Sequence, residues 1–292
     1  MEQGKDGVLR LEPPAKINLS LEVAGRRDDG YHEIVTRMCP ISLRDELLVR
    51  RADEGGTIFK ATGVGDVPAG ESNLVMRAVR VFEARYGVEV HACIELTKRI
   101  PSGAGLGGGS SDAASTLLAL NRLMGMRREV EELALLGAEV GSDVSFFVYE
   151  SVCDCRGRGE CVEKVPFEWE LPIVLVKPAF AVGSGWAYSR WAGAKELPGI
   201  SYSPQLSYWG EMRNDLERPV FEKHLVLAEM KRWLLAQEES HAVLMSGSGS
   251  TMFAVLRDEH LGGSLVEKVL ARYGSETWTH IGHTIASAPV VA

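Results

Sequence analysis

Cysteine is scarce in this chain, and its five copies are scattered. Cys39, Cys93, Cys153, Cys155 and Cys161 form an odd-numbered set in 292 residues, which is not the pattern of a disulfide framework. The spacing of the last three, C-x-C and then C-x5-C, also differs from the paired C-x2–4-C of structural zinc sites. We therefore interpret the cysteines as packed thiols, predict no metal site among them, and expect a reducing, cytoplasmic location.

An excess of positive charge and a long apolar run are also missing. The 32 Lys and Arg residues stand against 40 Asp and Glu, a net charge of −8, whereas a protein that binds nucleic acid or anionic lipid through its overall field carries the opposite sign. The apolar run at residues 171–176 is far shorter than the roughly 20 residues of a membrane span. Residues 1–14 lack the apolar core of a signal peptide. We expect neither nucleic acid nor a membrane as a partner, so an anionic ligand must be held by a local site.

The chain is long and apolar enough to bury a sizeable core, with 45% apolar and 25% charged residues. Alternation of apolar and polar residues over 15–23 predicts a strand whose second face is polar, and the spacing over 74–86 predicts a helix that ends at Gly87. The other predicted elements are helices over 111–124, 129–140 and 259–273 and within 214–237, strands over 46–51, 91–96 and 172–177, and two strands joined by a glycine-rich turn over 241–256. Strand and helix signals alternate along the chain, so we expect an α+β fold of two units that meet at about residue 165.

The clearest functional signal is the glycine-rich stretch PSGAGLGGGSS at residues 101–111. Its glycines allow successive backbone N–H groups to turn toward one point, and the helix predicted to follow adds the positive end of its dipole. Such a loop is suited to a di- or triphosphate, and the hydroxyls of Ser110 and Ser111 can donate hydrogen bonds or reach a metal ion. The alternative is a flexible surface loop, but flexible linkers seldom run directly into a strong helix.

The same loop satisfies the dinucleotide pattern G-x-G-x-x-G through Gly103, Gly105 and Gly108, so an NAD-dependent oxidoreductase is one alternative. In that fold the loop follows an apolar parallel strand, and an acidic residue ends the next strand about 20 residues on. Here charged residues precede the loop, and the sequence over 122–132 is typical of a helix end and a turn. The chain also lacks the G-K-[ST] of a Walker loop and the H-R-D and D-F-G elements of protein kinases. A phosphate loop of another type remains.

Two charged residues stand out by their surroundings. Lys16 lies on the polar face of the strand predicted over 15–23, together with Asn18, and Asp143 follows a glycine that ends a predicted helix. Taken alone, a lysine on an exposed strand is usually solvated, and an aspartate after a helix end is commonly an N-cap or a turn residue. Neither residue is identified as catalytic by its own position.

Four motifs in order, PAKINL, PSGAGLGGGSSDAA, GSDVSFF and MSGSGST, resemble the GHMP family of small-molecule kinases. The second motif is similar to the family's phosphate loop, and the last to its C-terminal glycine motif. The stretch PAKINLSLEVAGRRDDGYHEIVTRM, with CRGRGE and RNDLE further on, resembles the members that phosphorylate a hydroxyl of a substrate carrying cytidine diphosphate. The resemblance covers residues 10–257. It implies a two-domain GHMP kinase fold, with an N-terminal ATP-binding domain over 1–165 and a ferredoxin-like C-terminal domain over 166–292.

The resemblance also implies roles for individual residues. Asp143 would accept the proton of the substrate hydroxyl during transfer of the γ-phosphoryl group, and Lys16 beside it would stabilise the nucleophile and the transferring charge. ATP is the implied phosphate donor and Mg²⁺ its companion ion, with no residue identified as a metal ligand. The residues expected to hold ATP are Asn73, Lys98, Pro101, Ser102, Gly103, Ala104, Gly105, Leu106, Gly107, Gly108, Gly109, Ser110 and Ser111.

For the substrate, the resemblance implies a cytosine site at Tyr31 and His32, where an aromatic ring stacks and the histidine bonds the edge of the base. Without the resemblance, a Tyr-His pair would be interpreted as part of a packed loop. Tyr188 would supply a second stacking face, although GSGWAY at 183–188 departs from the proline- and threonine-containing segment usual there. The residues expected at the substrate are Asn18, Tyr31, His32, Tyr188, Ser246, Gly247, Ser248 and Gly249, the last four around the substrate diphosphate.

Three other functions are open at this point. A GHMP kinase for mevalonate, homoserine or a sugar would have no use for Tyr31 and His32, since those substrates carry no base to stack. An oxidoreductase that binds NAD is disfavoured by the missing acidic strand end. A catalytically inactive, ligand-sensing relative is disfavoured by the presence of both Lys16 and Asp143. We expect a monomer or homodimer whose ligands are small molecules.

Overall fold

The computed structural model describes residues 2–3, 7–65, 68 and 70–286. The predicted domains end at residues 1 and 292, which lie outside the described residues. Within those ranges the chain forms three β-sheets, and α-helices pack against them. This mixture of helix and strand confirms the α+β class. No helix in the described part of the chain is both long and apolar enough to cross a membrane.

The first sheet has five strands, which are numbered like all elements in chain order. They are β1 (Glu2–Gln3), β2 (Leu9–Leu11), β5 (Glu46–Arg51), β6 (Thr57–Gly63) and β7 (Ala92–Lys98). Their order in the sheet is β1-β2-β5-β7-β6, and only the last pair is parallel. The strands predicted over 46–51 and 91–96 are confirmed, the second with bounds shifted by one or two residues.

Four helices belong with the first sheet: α1 (Leu74–Tyr86), α2 (Gly108–Leu123), α3 (Val130–Val140) and α4 (Val144–Val148). Together they form an apolar core in which Phe82 and Leu117 are fully buried. The side chain of Asn73 caps the start of α1 by accepting a hydrogen bond from the Val75 N–H. The helix ends before Gly87, whose φ of 62° is the left-handed conformation predicted for this C-terminal glycine.

Helix α2 begins three residues earlier than the predicted start at Ser111. Gly107 precedes it with a φ of 71°, and Gly108 and Gly109 already belong to its first turn. The first four N–H groups of a helix have no partner within the helix, and glycine in this turn places no side chain between those donors and another acceptor. The prediction was wrong because it placed every glycine of the loop outside the helix.

The second sheet has six strands, in the order β11-β12-β3-β4-β8-β9. Their bounds are Gln205–Ser207 for β11, Gly210–Asn214 for β12, Pro14–Arg26 for β3, His32–Arg44 for β4, Cys153–Gly157 for β8 and Cys161–Lys164 for β9. The long antiparallel pair β3 and β4 forms its centre, and β12 lies parallel to β3. The sheet therefore takes strands from both sides of residue 165, and the division of the chain at that residue stays a prediction.

The third sheet is antiparallel, with the order β13-β14-β10-β15. Its strands are β10 (Pro172–Lys177), β13 (Ser240–Met245), β14 (Met252–Leu256) and β15 (Trp278–His283), and the remaining helices are α5 (Ser184–Arg190), α6 (Glu217–Lys223), α7 (Leu225–Leu235) and α8 (Gly262–Tyr273). The strand predicted over 172–177 is confirmed. The predicted helix over 259–273 is a 3-10 turn followed by α8. Strand β15 was not predicted, because its half-exposed residues show no clear alternation.

An apolar core between the second and third sheets holds them together. It contains Ile17 from β3, Ile173 from β10 and Phe253 from β14, all fully buried. Ala104 and Leu106 of the glycine-rich loop belong to the same core. Packing of these residues fixes the loop between the two sheets, at the place where β3 presents its polar residues.

Candidate active site

A large cavity lies where the glycine-rich loop, β3 and α5 meet. Its volume is about 910 Å³, which falls within the range of small-molecule sites in proteins. It is lined by residues from the loop, from strands β3 and β4, from α5 and from the turn between β13 and β14. The cavity therefore collects residues that are far apart in the sequence.

The glycine-rich loop has a backbone that only glycine adopts without strain. Gly103, Gly105 and Gly107 have φ values of 62°, 75° and 71°. A Cβ atom on Gly105 would lie 2.2 Å from the carbonyl oxygen of Ser246, and one on Gly107 would lie 2.8 Å from the ring of Phe147. The loop is thus packed between neighbouring elements and is not a flexible surface segment. It leads directly into α2, whose first turn presents free N–H groups, and this combination suits a phosphate.

Lys16 lies under this loop and is 3% exposed. Its Nζ donates hydrogen bonds to Asn18 Oδ1 at 2.6 Å and to the carbonyl oxygen of Gly105 at 2.9 Å. Burial lowers the pKa of Lys16, and the nearby carboxylate of Asp143 opposes that shift. The sequence pattern put Lys16 on a polar strand face, and the structure turns that face toward the cavity instead of toward bulk water.

Asn18 is itself held by a short chain of hydrogen bonds. Its Nδ2 donates to Thr36 Oγ1 at 2.8 Å, and the Thr36 hydroxyl donates to the carbonyl oxygen of Ser20 at 2.6 Å. Asn18 and Thr36 are both buried. These bonds fix the orientation of the Asn18 amide, so its oxygen points at Lys16.

Asp143 faces Lys16 across the cavity. The distance from its Oδ2 to Lys16 Nζ is 3.9 Å, and its side chain is 35% exposed. Asp143 directly precedes α4, but it makes no side-chain cap hydrogen bond, and its φ of −85° and ψ of −6° are helical. An N-cap residue usually has an extended backbone, so Asp143 occupies the N-cap position of α4 as a turn residue and does not cap the helix with its side chain. The carboxylate is free to accept a proton from a ligand in the cavity.

Aromatic rings line the other end of the cavity. The rings of His32 and Tyr188 stack with centroids 5.5 Å apart, and the ring of Trp191 meets His32 edge-on at 6.3 Å. The guanidinium of Arg158 lies 4.8 Å from the centre of the half-exposed Tyr31 ring. Burial, and to a smaller extent the charge of Arg26, lowers the pKa of His32. This end is suited to a flat, partly polar group such as a nucleobase.

Sequence reasoning missed two members of this aromatic end, Trp191 and Arg158. Trp191 follows Tyr188 by three residues, so the two side chains leave the end of α5 on the same side. That spacing is the signal that could have identified Trp191. Arg158 lies in CRGRGE. The family resemblance rests partly on this motif, but it assigned no place in the site to the arginines.

Lys98 and Asn73 lie on the cavity wall near the start of α2. Lys98 Nζ donates to the carboxylates of Asp45 and of Asp112, the second at 2.7 Å, and all three residues are buried. Burial opposes the charge of Lys98, but the two carboxylates outweigh it and raise its pKa. Burial also raises the pKa of Asp112, against the charge of Lys98. A contact between Lys98 or Asn73 and adenosine stays a prediction.

The turn between β13 and β14, residues 246–249, closes the cavity from the side of the third sheet. The hydroxyl of Ser246 donates to the carbonyl oxygen of Gly105 at 2.9 Å, which is the same oxygen that accepts from Lys16. The hydroxyl of Ser248 lies 2.9 Å from that of Ser184 on α5. This turn therefore joins the loop, the lysine and α5 into one wall.

Most of the residues expected at ATP or substrate line this one cavity. Ser111, Ser246 and Gly249 lie behind its wall, and Ser111 Oγ is buried with no hydrogen-bond partner among the described residues. The predicted residues that line the cavity are Lys16, Asn18, Tyr31, His32, Asn73, Lys98, Pro101, Ser102, Gly103, Ala104, Gly105, Leu106, Gly107, Gly108, Gly109, Ser110, Asp143, Tyr188, Gly247 and Ser248. An anion cradle, a buried cation and a free carboxylate so close together can support transfer of a phosphoryl group to a hydroxyl.

Two family models match the chain. The model of the N-terminal domain of GHMP kinases matches residues 73–151, and that of the C-terminal domain matches residues 204–275. The first match contains the glycine-rich loop and Asp143, and the second contains the turn at residues 246–249. The two models thus cover sequence on both sides of the cavity.

Curated relatives and a solved structure agree with these matches. A protein of Methylacidiphilum infernorum (isolate V4) is 39% identical over 92% of this chain and 94% of its own, and one of Protochlamydia amoebophila (strain UWE25) is 40% identical over 85% and 84%. Both are named 4-diphosphocytidyl-2-C-methyl-D-erythritol kinase. A crystal structure of 4-(cytidine 5'-diphospho)-2C-methyl-D-erythritol kinase covers 96% of this chain and 100% of its own, with a TM-score of 0.76 and 32% identity.

Proposed function

Because the chain belongs to the GHMP kinase family, we propose that it is a 4-diphosphocytidyl-2-C-methyl-D-erythritol kinase. The reaction transfers the γ-phosphoryl group of ATP to the 2-hydroxyl of the methylerythritol unit, giving the 2-phosphate and ADP. It is a step of the non-mevalonate route to isopentenyl diphosphate. The observation that carries the proposal is the arrangement of Lys16 and Asp143 under the glycine-rich loop, in the same cavity as His32 and Tyr188.

In the proposed reaction Asp143 is the general base. The 2-hydroxyl oxygen attacks the γ-phosphorus, the bond from that phosphorus to the β–γ bridging oxygen breaks, and the hydroxyl proton passes to the carboxylate. The carboxylate lies 3.9 Å from the buried ammonium group of Lys16, so the base and the cation face the same part of the cavity. Asp143 makes no capping bond that would occupy its oxygens, so they are available for the hydroxyl.

Lys16 stabilises charge in this reaction. Its ammonium is nearly excluded from water, and an interaction with a phosphoryl oxygen is stronger there than in bulk solvent. Two of its three N–H donors are used by Asn18 and Gly105, which leaves one for the nucleophile or the transferring group. These bonds to the protein fix the position of the charge.

The glycine-rich loop and the start of α2 hold the phosphates of ATP. Mg²⁺ accompanies the nucleotide, and when bound it neutralises phosphate charge. No group of three or more His, Cys, Asp or Glu in the described part of the chain could hold a metal ion. The cavity is suited to a Mg²⁺ ion that is held mainly by substrate phosphates and water. Of the two serines at the start of α2, Ser110 lines the cavity and would contribute a hydroxyl ligand.

The aromatic end of the cavity holds the cytidine. Tyr31 and Tyr188 supply ring faces, and His32, which its lowered pKa keeps neutral at pH 7, bonds the edge of the base.

Among the alternatives, kinases of mevalonate, homoserine or a sugar would have no use for these rings and are not favoured. An inactive sensor would need neither Lys16 nor Asp143, and an NAD-dependent oxidoreductase does not fit a chain that belongs to a kinase family. The five cysteines, all free, support a cytoplasmic location.

The proposed role of Asp143 is tested by the Asp143→Asn variant. An amide has nearly the size of the carboxylate but accepts no proton, so turnover of the cytidine substrate should fall by about 100- to 10,000-fold. The dissociation constant of ATP, measured by calorimetry, should change little, because the glycine-rich loop is untouched. Unchanged turnover would remove Asp143 from its role.

Asp258→Asn is the matched control. Asp258 Oδ1 accepts a hydrogen bond from the His260 N–H in an exposed turn away from the cavity. The same chemical change there should leave both turnover and ATP binding at the level of the unmodified chain. An equal loss in both variants would indicate a general effect of removing a carboxylate.

A further inference from the structure

The outer edge of strand β13 is covered by side chains. β13 is an edge strand of the third sheet, so the outward backbone groups of Val243 and Met245 need partners from elsewhere. The Gln205 amide pairs with Val243 in both directions, accepting from its N–H at 3.0 Å and donating to its carbonyl oxygen at 2.7 Å. At Met245 the partners are different: the N–H donates to Glu217 Oε1 at 3.0 Å, and the carbonyl oxygen accepts from Asn214 Nδ2 at 2.7 Å.

Asn214 does more than cover this edge. The same Nδ2 donates a second hydrogen bond, to the carbonyl oxygen of Gly247 at 2.7 Å. Its Oδ1 accepts from the Leu216 N–H at 2.9 Å. Asn214 is 6% exposed, so water cannot easily replace these bonds. The Asn214 side chain thus donates hydrogen bonds both to the end of β13 and to the turn that follows it.

The backbone of Asn214 lies beside the strand that carries Lys16. β12 runs parallel to β3, with Asn214 paired to Leu21 and Arg213 to Ser20. Asn214 therefore links two parts of the site, β3 through its backbone and the turn at residues 246–249 through its side chain. This link spans the interface between the second and third sheets.

The turn has little room to move without disturbing Lys16. A Cβ atom on Gly247 would lie 3.2 Å from Lys16 Nζ and 3.3 Å from Asn18 Oδ1. Ser246 and Lys16 share one acceptor, the carbonyl oxygen of Gly105. A displaced turn would therefore change the surroundings of the lysine ammonium and the position of the glycine-rich loop.

We infer that Asn214 is a positioning residue, which sets the turn at residues 246–249 against Lys16 and the glycine-rich loop. This inference rests on the proposed function, because its kinetic consequence is measured in the kinase reaction. Asn214 does not line the cavity and acts through the turn. The purely structural alternative is that Asn214 seals the edge of β13 in the way that Gln205 does.

The test compares Asn214→Ala with Gln205→Ala. Both variants remove side-chain hydrogen bonds to β13, but only the first releases Gly247. Asn214→Ala should lower kcat by about 10- to 100-fold, the effect of a misplacement of about 1 Å near reacting groups. Gln205→Ala should keep the kcat of the unmodified chain. Circular dichroism at increasing temperature shows whether each variant is folded under the assay conditions.

Hydrogen–deuterium exchange follows the turn without any use of activity. The Gly249 N–H bonds the carbonyl oxygen of Ser246 at 2.9 Å within the turn. Exchange in a peptide covering residues 246–251 should become faster in Asn214→Ala and should stay unchanged in Gln205→Ala. Asn214→Asp keeps the size and the Oδ1 acceptor but loses the donors, so it should behave like the alanine variant. It serves the same comparison should Asn214→Ala not fold.

The outcomes separate this inference from the proposed function. Equal kcat losses in the Asn214 and Gln205 variants, or unchanged kcat and exchange in the Asn214 variants, would overturn the positioning role while leaving the kinase assignment intact. An unmodified chain that does not phosphorylate the cytidine substrate would contradict the proposed function. The exchange experiment would still decide in that case whether Asn214 holds the turn.

Discussion

At the scale of single residues, the site places charge where protein surrounds it. Lys16 is 3% exposed and has a lowered pKa, with burial as the main cause. Its hydrogen bonds to Asn18 and Gly105 are both made within the protein, so the position of the ammonium is fixed by the fold. Preorganised charge of this kind is a large contributor to catalysis in water-excluded sites.

His32→Ala tests the cytidine end of the cavity. The variant loses a stacking partner of Tyr188 and a ring nitrogen for the base, interactions worth about 1 to 3 kcal/mol together. The KM of the cytidine substrate should therefore rise by about 5- to 150-fold, and the KM of ATP should stay within about twofold. Steady-state kinetics with each substrate varied in turn gives the comparison.

The dependence of the substrate KM on pH is a second test of the role of the His32 ring. Its lowered pKa means that the ring gains a proton only when the pH falls below the usual histidine value of about 6.5. The substrate KM of the unmodified chain should be flat above that pH and rise below it, and in His32→Ala the rise should be absent. If His32→Ala raised the KM of ATP as much as the KM of the cytidine substrate, the cytidine assignment would be contradicted.

The sequence could predict most of the residues that line the cavity, but not the burial of their polar side chains. Alternation over 15–23 identified the polar strand face of Lys16, and alone it favoured a solvated lysine. The burial of that face depends on Leu106 and Gly105, about 90 positions away in the chain, and no local pattern contains this information. Arg158 was missed for the same reason, since only the folded chain brings it beside Tyr31.

At the scale of elements, the glycine-rich loop is a packed structure. Gly105→Ala would place a Cβ atom 2.2 Å from the carbonyl oxygen of Ser246, at a φ of 75°. The strain alone is of order 1–3 kcal/mol, and relief of the clash must move the loop or the turn. We expect kcat/KM for ATP to fall by at least about tenfold and the melting temperature to decrease.

Gly263→Ala is the control for this prediction. Gly263 lies in the first turn of α8, and an added Cβ atom there meets nothing within 4 Å. Its kcat/KM should equal that of the unmodified chain. Full activity of Gly105→Ala would show that the loop has more freedom than its contacts indicate.

Elements were predictable where a local signal marks them. Gly87 marked the end of α1 in the sequence, because glycine readily adopts the left-handed backbone conformation that ends a helix. The start of α2 was predicted too late, because Gly108 and Gly109 belong to the glycine-rich motif and also to the first turn of the helix. The pairing of Gln205 and Asn214 with the edge of β13 had no sequence signal, because side-chain pairing with a distant strand leaves no periodicity.

At the scale of the whole molecule, the site is assembled from both ends of the chain. β3 supplies Lys16 near the N-terminus, α4 begins after Asp143, and the turn at residues 246–249 closes the wall. The second and third sheets share one apolar core, which fixes the positions of these parts relative to one another. The resemblance to GHMP kinases predicted this arrangement, whereas composition and periodicity alone indicated only an α+β chain with a phosphate loop.

The most direct test of the kinase assignment is phosphate transfer from ATP to a panel of acceptors, with the products identified by mass spectrometry. The acceptors are 4-diphosphocytidyl-2-C-methyl-D-erythritol, mevalonate, homoserine and galactose. We predict that one phosphate is added to the cytidine substrate and to none of the others, because only that substrate fills both the loop and the aromatic end of the cavity. Transfer to another acceptor would contradict the substrate assignment. Binding of ATP without transfer to any acceptor would contradict the kinase function itself.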